Sequence, residues 1–207
     1  MADIIGSRNK DGNLVMEGFR DLVAKISSEY RSSFLSPLTI TLGDEFQSVV
    51  KSLPTGIEII FAIEELILKR EMDFKLRYVL YFGPIDTKIN RKIAYGMLGK
   101  GLTETRQLLE NNKTNRSRFL IRTAENDLSE KLTLAFVIFQ SVLDDWSMKD
   151  RRIVKEFLLC DDYKKIAMRL KKDVSLLWRR RKSLKIAEFQ VIKKLITLLV
   201  ENVPCQI

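Results

Sequence analysis

An α+β fold in two parts is what this sequence predicts, on three observations. Strand-like alternation interleaves with helical periodicity up to about residue 143, and from Ser147 onward only helical patterns recur. The whole +9 charge excess lies in that last stretch, where 16 Lys and Arg meet seven Asp and Glu, while residues 1 to 146 are balanced at 20 of each. Residues 1–146 and 147–207 are therefore expected as separate domains, a neutral one for something small and a basic one that grips a polyanion.

The elements follow in order. After an opening strand around Asp3, the residues Val15, Phe19, Leu22, Val23, Ile26 and Tyr30 recur at helical spacing, and polar Arg31 to Ser33 and then Pro37 end that helix. Leu38, Ile40 and Leu42 alternate with Thr39 and Thr41 as a half-buried strand. Gly43 permits a tight turn for Asp44 and Glu45, and Phe46 to Val50 returns as the hairpin partner. Pro54 suits the first turn of a helix whose apolar face holds Ile59, Ile60, Ile63, Leu66 and Ile67. Phe74 to Phe82, nearly apolar on both faces, reads as a central strand stopped by Gly83-Pro84. Ile93 to Met97 is a candidate short strand, Gly99 and Gly101 precede a helix through Leu102, Leu108 and Leu109, Arg118 to Thr123 is one more strand, and a helix runs from about Leu128 to Leu143. This βαββαβ order, followed by αβα, predicts a ferredoxin-like palm: an antiparallel sheet with helices on one side and ligand on the other. In that topology the first strand and the hairpin are neighbours, so Asp3 and Asp44 converge.

The last part reads as an all-α helix-turn-helix domain. Ser147 to Asp150 is a capping-box start for a helix through Ile153, Val154, Phe157 and Leu158. Tyr163, Ile166, Ala167 and Leu170 make a short helix, Lys171 to Val174 a turn without glycine, and Ser175 is expected to cap a second helix that holds Trp178. Arg179 to Lys182 are consecutive and point around that helix. Ser175, Arg179 and Lys182 are expected to face duplex DNA, with Lys171 and Lys172 on phosphates, and Trp178 to pack against the preceding helix. A solvated basic helix that binds RNA or an acidic partner is the other reading. Ile186, Phe189, Ile192, Leu195, Ile196 and Leu199 form an apolar stripe that either packs within the chain or pairs two copies as a homodimer.

Composition narrows the chemistry. The chain has no histidine, which excludes Ser-His and Cys-His nucleophile pairs and histidine-ligated zinc. Two cysteines, no signal-like start, and a longest largely apolar stretch (Leu132 to Phe139) far below the roughly 20 residues of a membrane span predict a reduced, cytoplasmic protein with no membrane partner. Any chemistry then rests on carboxylates and metal. Asp3, Asp44 and Glu45, each following a short apolar run, are the candidate Mg²⁺ ligands, since Mg²⁺ takes one or two carboxylates together with substrate phosphates. Gly6, Ser7 and Arg8 offer backbone N–H groups and a cation to a nucleotide phosphate at a helix entrance. A plain solvated hairpin turn is the bland reading of Gly43-Asp44.

Asp3-Ile4-Ile5-Gly6-Ser7-Arg8 taken with Thr41-Leu42-Gly43-Asp44-Glu45-Phe46-Gln47 resembles the SatD family of bacterial proteins. The front domain of that family is similar to the nucleotidyl cyclase fold of class III cyclases and GGDEF domains. The resemblance implies a purine nucleotide held with Mg²⁺. It also places Arg106 at the cyclase arginine that meets phosphate, a role to set against that of an ordinary helix-surface charge. Leu102 stands where a cyclase has its asparagine and Leu42 where GGDEF has its first glycine, so the resemblance implies binding with feeble or no turnover. Relatives carry several more residues before the first acid, which predicts either a start upstream of Met1 or a truncated central strand. The function expected is a nucleotide-responsive DNA-binding regulator. An active nucleotidyl cyclase and a scaffold with a vestigial palm are the alternatives.

Overall fold

The computed structural model describes residues 1–6, 12–97, 100–111 and 117–203. Its elements are β1 (Ala2–Ile4), α1 (Gly12–Glu29), a 3-10 turn (Arg31–Ser33), β2 (Phe34–Leu42), β3 (Glu45–Val50), α2 (Leu53–Lys69), β4 (Leu76–Phe82), α3 (Lys100–Asn111), β5 (Phe119–Thr123), α4 (Asn126–Leu143), α5 (Met148–Leu159), α6 (Tyr163–Leu170), α7 (Val174–Ser183) and α8 (Ile186–Val200). The chain is thus mixed α+β. None of its described helices is long and apolar enough to cross a membrane.

The strands form one sheet in the order β2-β3-β1-β4-β5. The first four pair antiparallel, but β5 runs parallel to β4, so the sheet is mixed where an all-antiparallel one was expected. A parallel neighbour needs a crossover, which here carries α3. Pro37 lies inside β2, which starts three residues before it and not after it. As an edge strand β2 tolerates a missing ladder N–H. Ile93 to Met97 is irregular chain and adds no strand.

Strand alternation assigns the two faces. Ala2, Phe46, Tyr78, Phe119 and Ile121 are buried toward α1, α2 and α4, with Phe19 of α1 stacked on Phe46 at 5.8 Å. Asp3, Glu45, Arg77 and Val79 leave by the opposite face, where α3 lies. Gly101 lets α3 come close, because a Cβ there would stand 2.7 Å from the Tyr81 ring and 3.0 Å from the Pro84 carbonyl oxygen.

The helices after Ser147 pack onto this layer. α5 begins at a complete capping box between Ser147 and Asp150. α8 buries Ile186, Phe189, Ile192, Ile196 and Val200, so its stripe packs within the chain. Aromatic rings run without a break from the sheet into this part: Tyr78 on Phe119 (5.2 Å), Phe119 against Phe139 (5.6 Å), Phe139 on Phe189 (5.3 Å) and Phe189 against Trp146 (4.9 Å). Arg151 donates to the Met72 carbonyl at 2.7 Å, and Lys193 of α8 pairs with Glu65 of α2.

Beneath the sheet sits a buried charge network. The Arg118 guanidinium donates to both Glu64 oxygens (2.8 and 2.9 Å), to the Leu76 carbonyl (2.9 Å) and to Asp144 (3.1 Å), and the Tyr78 hydroxyl donates to Glu64 at 2.7 Å. Arg118→Ala would strand Glu64 inside the core and is expected to cost about 3–5 kcal/mol in urea unfolding, whereas replacing both Arg118 and Glu64 by Met and Leu is expected to cost clearly less. Equal losses from the single and the double variant would show that the pair is not the source of the cost.

Candidate functional site

The hairpin is built as Gly43 allows. Leu42 faces Glu45 across a two-residue loop of Gly43 and Asp44, and Gly43 takes a left-handed φ of 45°. The Asp44 carbonyl accepts the Ile4 N–H at 3.0 Å, which pins the loop to the end of β1. Asp3 and Glu45 are register partners, and Asp3 is also the partner of Arg77. Partners across adjacent strands leave a sheet on the same face, so three strands set Glu45, Asp3 and Arg77 in one row.

Arginines stand at both ends of this pair of acids. Arg77 Nη1 lies 3.0 and 3.3 Å from the two Asp3 oxygens, in a pair only 10% and 13% exposed. Arg106 of α3 reaches Glu45 at 3.0 Å from above, and the Thr41 hydroxyl donates to the same oxygen at 2.7 Å. Arg106, Glu45, Asp3 and Arg77, from α3, β3, β1 and β4 in that order, thus give the charge order plus, minus, minus, plus. Among the predicted site residues, Asp3, Glu45, Arg106 and the Asp44 loop come together here, with Gly6 just past the end of β1. Ser7 and Arg8 lie outside the described residues. Leu42 is exposed at the hairpin.

Arg77 is the member that sequence reading missed. It is the one charged side chain in the run Leu76–Phe82, and a cation in a central strand needs an acid beside it.

Among the described residues no three acidic or cysteine side chains come close enough to cage a metal. Asp3 and Glu45 give two carboxylates in register, with Asp44 on the adjoining loop, the hard-oxygen donors a divalent cation takes. Arg106 also borders a cavity of about 350 Å³ with Tyr95, Gly96, Leu102 and Gln107. A larger cavity of about 610 Å³ lies beyond Met1, at the end of β1 away from the acids.

The second surface is the pair α6 and α7. Ile166, Ala167 and Leu177 are buried between them and α5. The turn that lacks glycine closes because Lys171 takes the left-handed conformation (φ 51°, ψ 45°), and Lys172 N–H reaches back to the Ala167 carbonyl at 3.0 Å. Asp173, not Ser175, caps α7: its carboxylate accepts the Ser175 and Leu176 N–H groups at 2.8 and 3.0 Å. The Ser175 hydroxyl and these amides hold the Asp173 carboxyl below its usual range. Ser175 stands in the first turn. Trp178 is not in the core; it is 45% exposed, with the Lys182 ammonium 4.0 Å over its ring.

Arg180 and Arg181 are used inside the molecule, against Asp150 and Asp161. Ser175, Trp178, Arg179 and Lys182 remain exposed at positions i, i+3, i+4 and i+7, a single stripe of α7, and exposed Lys171 and Lys172 stand at its foot.

A family model described as the SatD family matches residues 1–197. No curated protein and no solved structure matches the chain.

The amine of Met1 gives a pH test of this face. Met1 is half-buried as a residue, while its amine turns inward to the Val79 carbonyl at 2.9 Å. Burial pushes the amine from 8.0 down to about 6, against the opposing pull of Glu45. Between these values the unfolded chain takes up a proton that the folded chain refuses, so stability falls as pH drops from 8 to 6, by up to about 2 kcal/mol, and levels below. Urea midpoints measured at pH 8.5 and pH 6 should show this loss in the free-amine protein and not in an Nα-acetylated one.

Proposed function

The chain belongs to the SatD family, and on that premise and the two surfaces just described we propose that it is a nucleotide-responsive regulator that binds duplex DNA. The observation that carries the reading is the α7 stripe. Two of its four consecutive basic residues are tied up in ion pairs, and the two that share a face with Ser175 and Trp178 point outward. α6, a three-residue turn and α7 read as a helix-turn-helix with α7 as the recognition helix. Arg179 is suited to a guanine edge or a phosphate, and Lys171, Lys172 and Lys182 to phosphates. Asp173, an anion at the mouth of α7, keeps the helix N-terminus itself from serving as the phosphate site. A homodimer fits this reading, since paired copies read palindromes; α4 and α8, which pack on each other, carry exposed Leu134, Val137 and Ile138, and Val191, Leu195 and Leu198.

The order β2-β3-β1-β4 supports a ferredoxin-like palm of the nucleotidyl cyclase type in front. Asp3, Asp44 and Glu45 would hold Mg²⁺, which would supply charge neutralisation to the phosphates of a purine nucleotide. Arg106 moves from Glu45 to phosphate in the same event, and Gly6 lies at the phosphate end. Turnover is not favoured: Leu102 has no hydrogen-bond donor to give, and one missing preorganised donor costs about 3 kcal/mol of barrier lowering.

Fluorescence anisotropy of a labelled duplex across a salt series tests the DNA part. Affinity is expected to fall steeply with salt, and the Arg179→Ala, Lys182→Ala double variant is expected to flatten the log–log slope by about 2. Salt-insensitive binding, or none to any duplex, refutes it. Calorimetric titration with ATP and GTP tests the front. Binding that needs Mg²⁺ and weakens at least about tenfold in Asp44→Ala is expected, with no cyclic product. No heat with any purine nucleotide removes this part of the reading.

A further inference from the structure

The two arginines of the acid row are held in different ways. Arg77 leaves β4 between two neighbouring strands, and both it and Asp3 are buried. Moving it away would strand a carboxylate inside the sheet. Arg106 comes from α3, with its side chain 43% exposed, and reaches a Glu45 side chain that is 12% exposed. The cavity of about 350 Å³ on its flank, lined also by Gly96 and Gln107, gives the guanidinium room to turn away. One arginine is a fixture, and the other is hinged.

Neither acid depends on the hinged arginine for its aim. The Thr41 hydroxyl donates at 2.7 Å to the same Glu45 oxygen that Arg106 reaches at 3.0 Å, so Glu45 keeps its direction when Arg106 turns away. Arg77 gives Asp3 a single nitrogen, Nη1, and a carboxylate has about four acceptor positions. Arg77 can therefore stay on Asp3 when a cation joins the row.

Charge sets the order of events. Arg77, Asp3 and Glu45 carry one negative charge between them, and Arg106 cancels it. With Arg106 in place, Glu45 would face two cations at once, and a divalent ion would leave the row positive even with Asp44 of the loop counted in. Repulsion between cations a few ångströms apart is strong where little water screens it. With Arg106 turned into solvent, the row would only exchange one ion pair for another. A polyphosphate removes both difficulties, because its oxygens draw Arg106 into charge-assisted hydrogen bonds and complete the shell of the metal.

We propose that Arg106 is a counter-ion gate: it keeps a divalent cation off Asp3 and Glu45 until a polyphosphate draws it away, so that metal and anion bind as a pair. The proposal rests on the metal and nucleotide reading given above and adds the rule by which that site fills. Linkage makes the rule reciprocal, since the anion strengthens the hold on the cation by the same factor as the cation strengthens the hold on the anion. Substitution of Arg106 must then act with opposite sign on the two ligands, which the loss of a merely structural ion pair would not do.

Two probes on the whole chain test this: Mn²⁺ alone, followed by the loss of its free-ion electron paramagnetic resonance signal, and Mg²⁺–tripolyphosphate, followed by calorimetry. Arg106→Gln is expected to bind Mn²⁺ at least about tenfold more tightly than the wild type, and Mg²⁺–tripolyphosphate at least about tenfold more weakly. Arg106→Lys, which keeps the charge, is expected to stay near the wild type toward Mn²⁺, and the gain is expected to vanish when Glu45→Gln is added to Arg106→Gln. Wild-type protein that takes up Mn²⁺ as tightly as Arg106→Gln, a gain that Arg106→Lys shares or that survives the loss of Glu45, or no binding of Mg²⁺–tripolyphosphate by the wild type overturns the gate. None of the Mn²⁺ results bears on whether a purine nucleotide binds. Tripolyphosphate that binds where ATP and GTP give no heat would remove the nucleotide and support the gate.

Discussion

A guanidinium sealed in the interior, that of Arg118, is the constraint the other elements have to meet. It carries a charge where water cannot reach it, and each of its donors must find an acceptor. Glu64 comes from α2, the Leu76 carbonyl from β4, Asp144 from the end of α4, and the Phe119 ring lies 4.5 Å from the guanidinium carbon. A slip of any one of these elements by a residue would leave a charge without a partner. Desolvation takes back much of what the ion pair contributes, so its effect lies in selecting one arrangement more than in adding stability. The network keeps Arg118 charged and pushes the Tyr78 hydroxyl well above its ordinary range, through burial first and the Glu64 carboxylate second.

The same helix that supplies Glu64 supplies Glu65, which pairs with Lys69 and with Lys193 of α8. α2 therefore touches the sheet on one side and the last helix on the other, and the aromatic run from Tyr78 to Trp146 follows the same course. Composition changes abruptly near Ser147, from balanced charge to basic, but the hydrophobic core does not: residues from Ala2 to Val200 belong to it without interruption. A displacement of β1 or the hairpin would thus meet packed side chains, not a loose linker, between there and α7.

Much of this was legible in the chain. The faces of α1 and α2, a tight turn at Gly43, the capping box at Ser147 and the outward direction of Arg179 and Lys182 all follow from local spacing, which periodicity reports well, although Glu45, read as part of that turn, opens β3. What was hidden depended on partners far away in sequence. Arg77 meets Asp3 across 74 positions, and no local pattern marks such a pair. Pro37 looked like a stop because nothing local says that β2 is an edge. Lys171 does the work of a glycine in the turn because the helices on either side hold it in a conformation its own preference disfavours. Trp178 was assigned to the core by its size, but Leu177 takes the inward position and leaves the indole to Lys182.

The continuity of the core also sets how this molecule can be taken apart in the laboratory. Cutting before Ser147 to obtain the basic helices alone would bare Phe189, Ile192, Ile196 and Val200, which now lie against α4 and α2, and would leave the front without the cover of α8. Neither fragment would keep a soluble surface. The two surfaces are separable by single substitutions on each, and not by scissors.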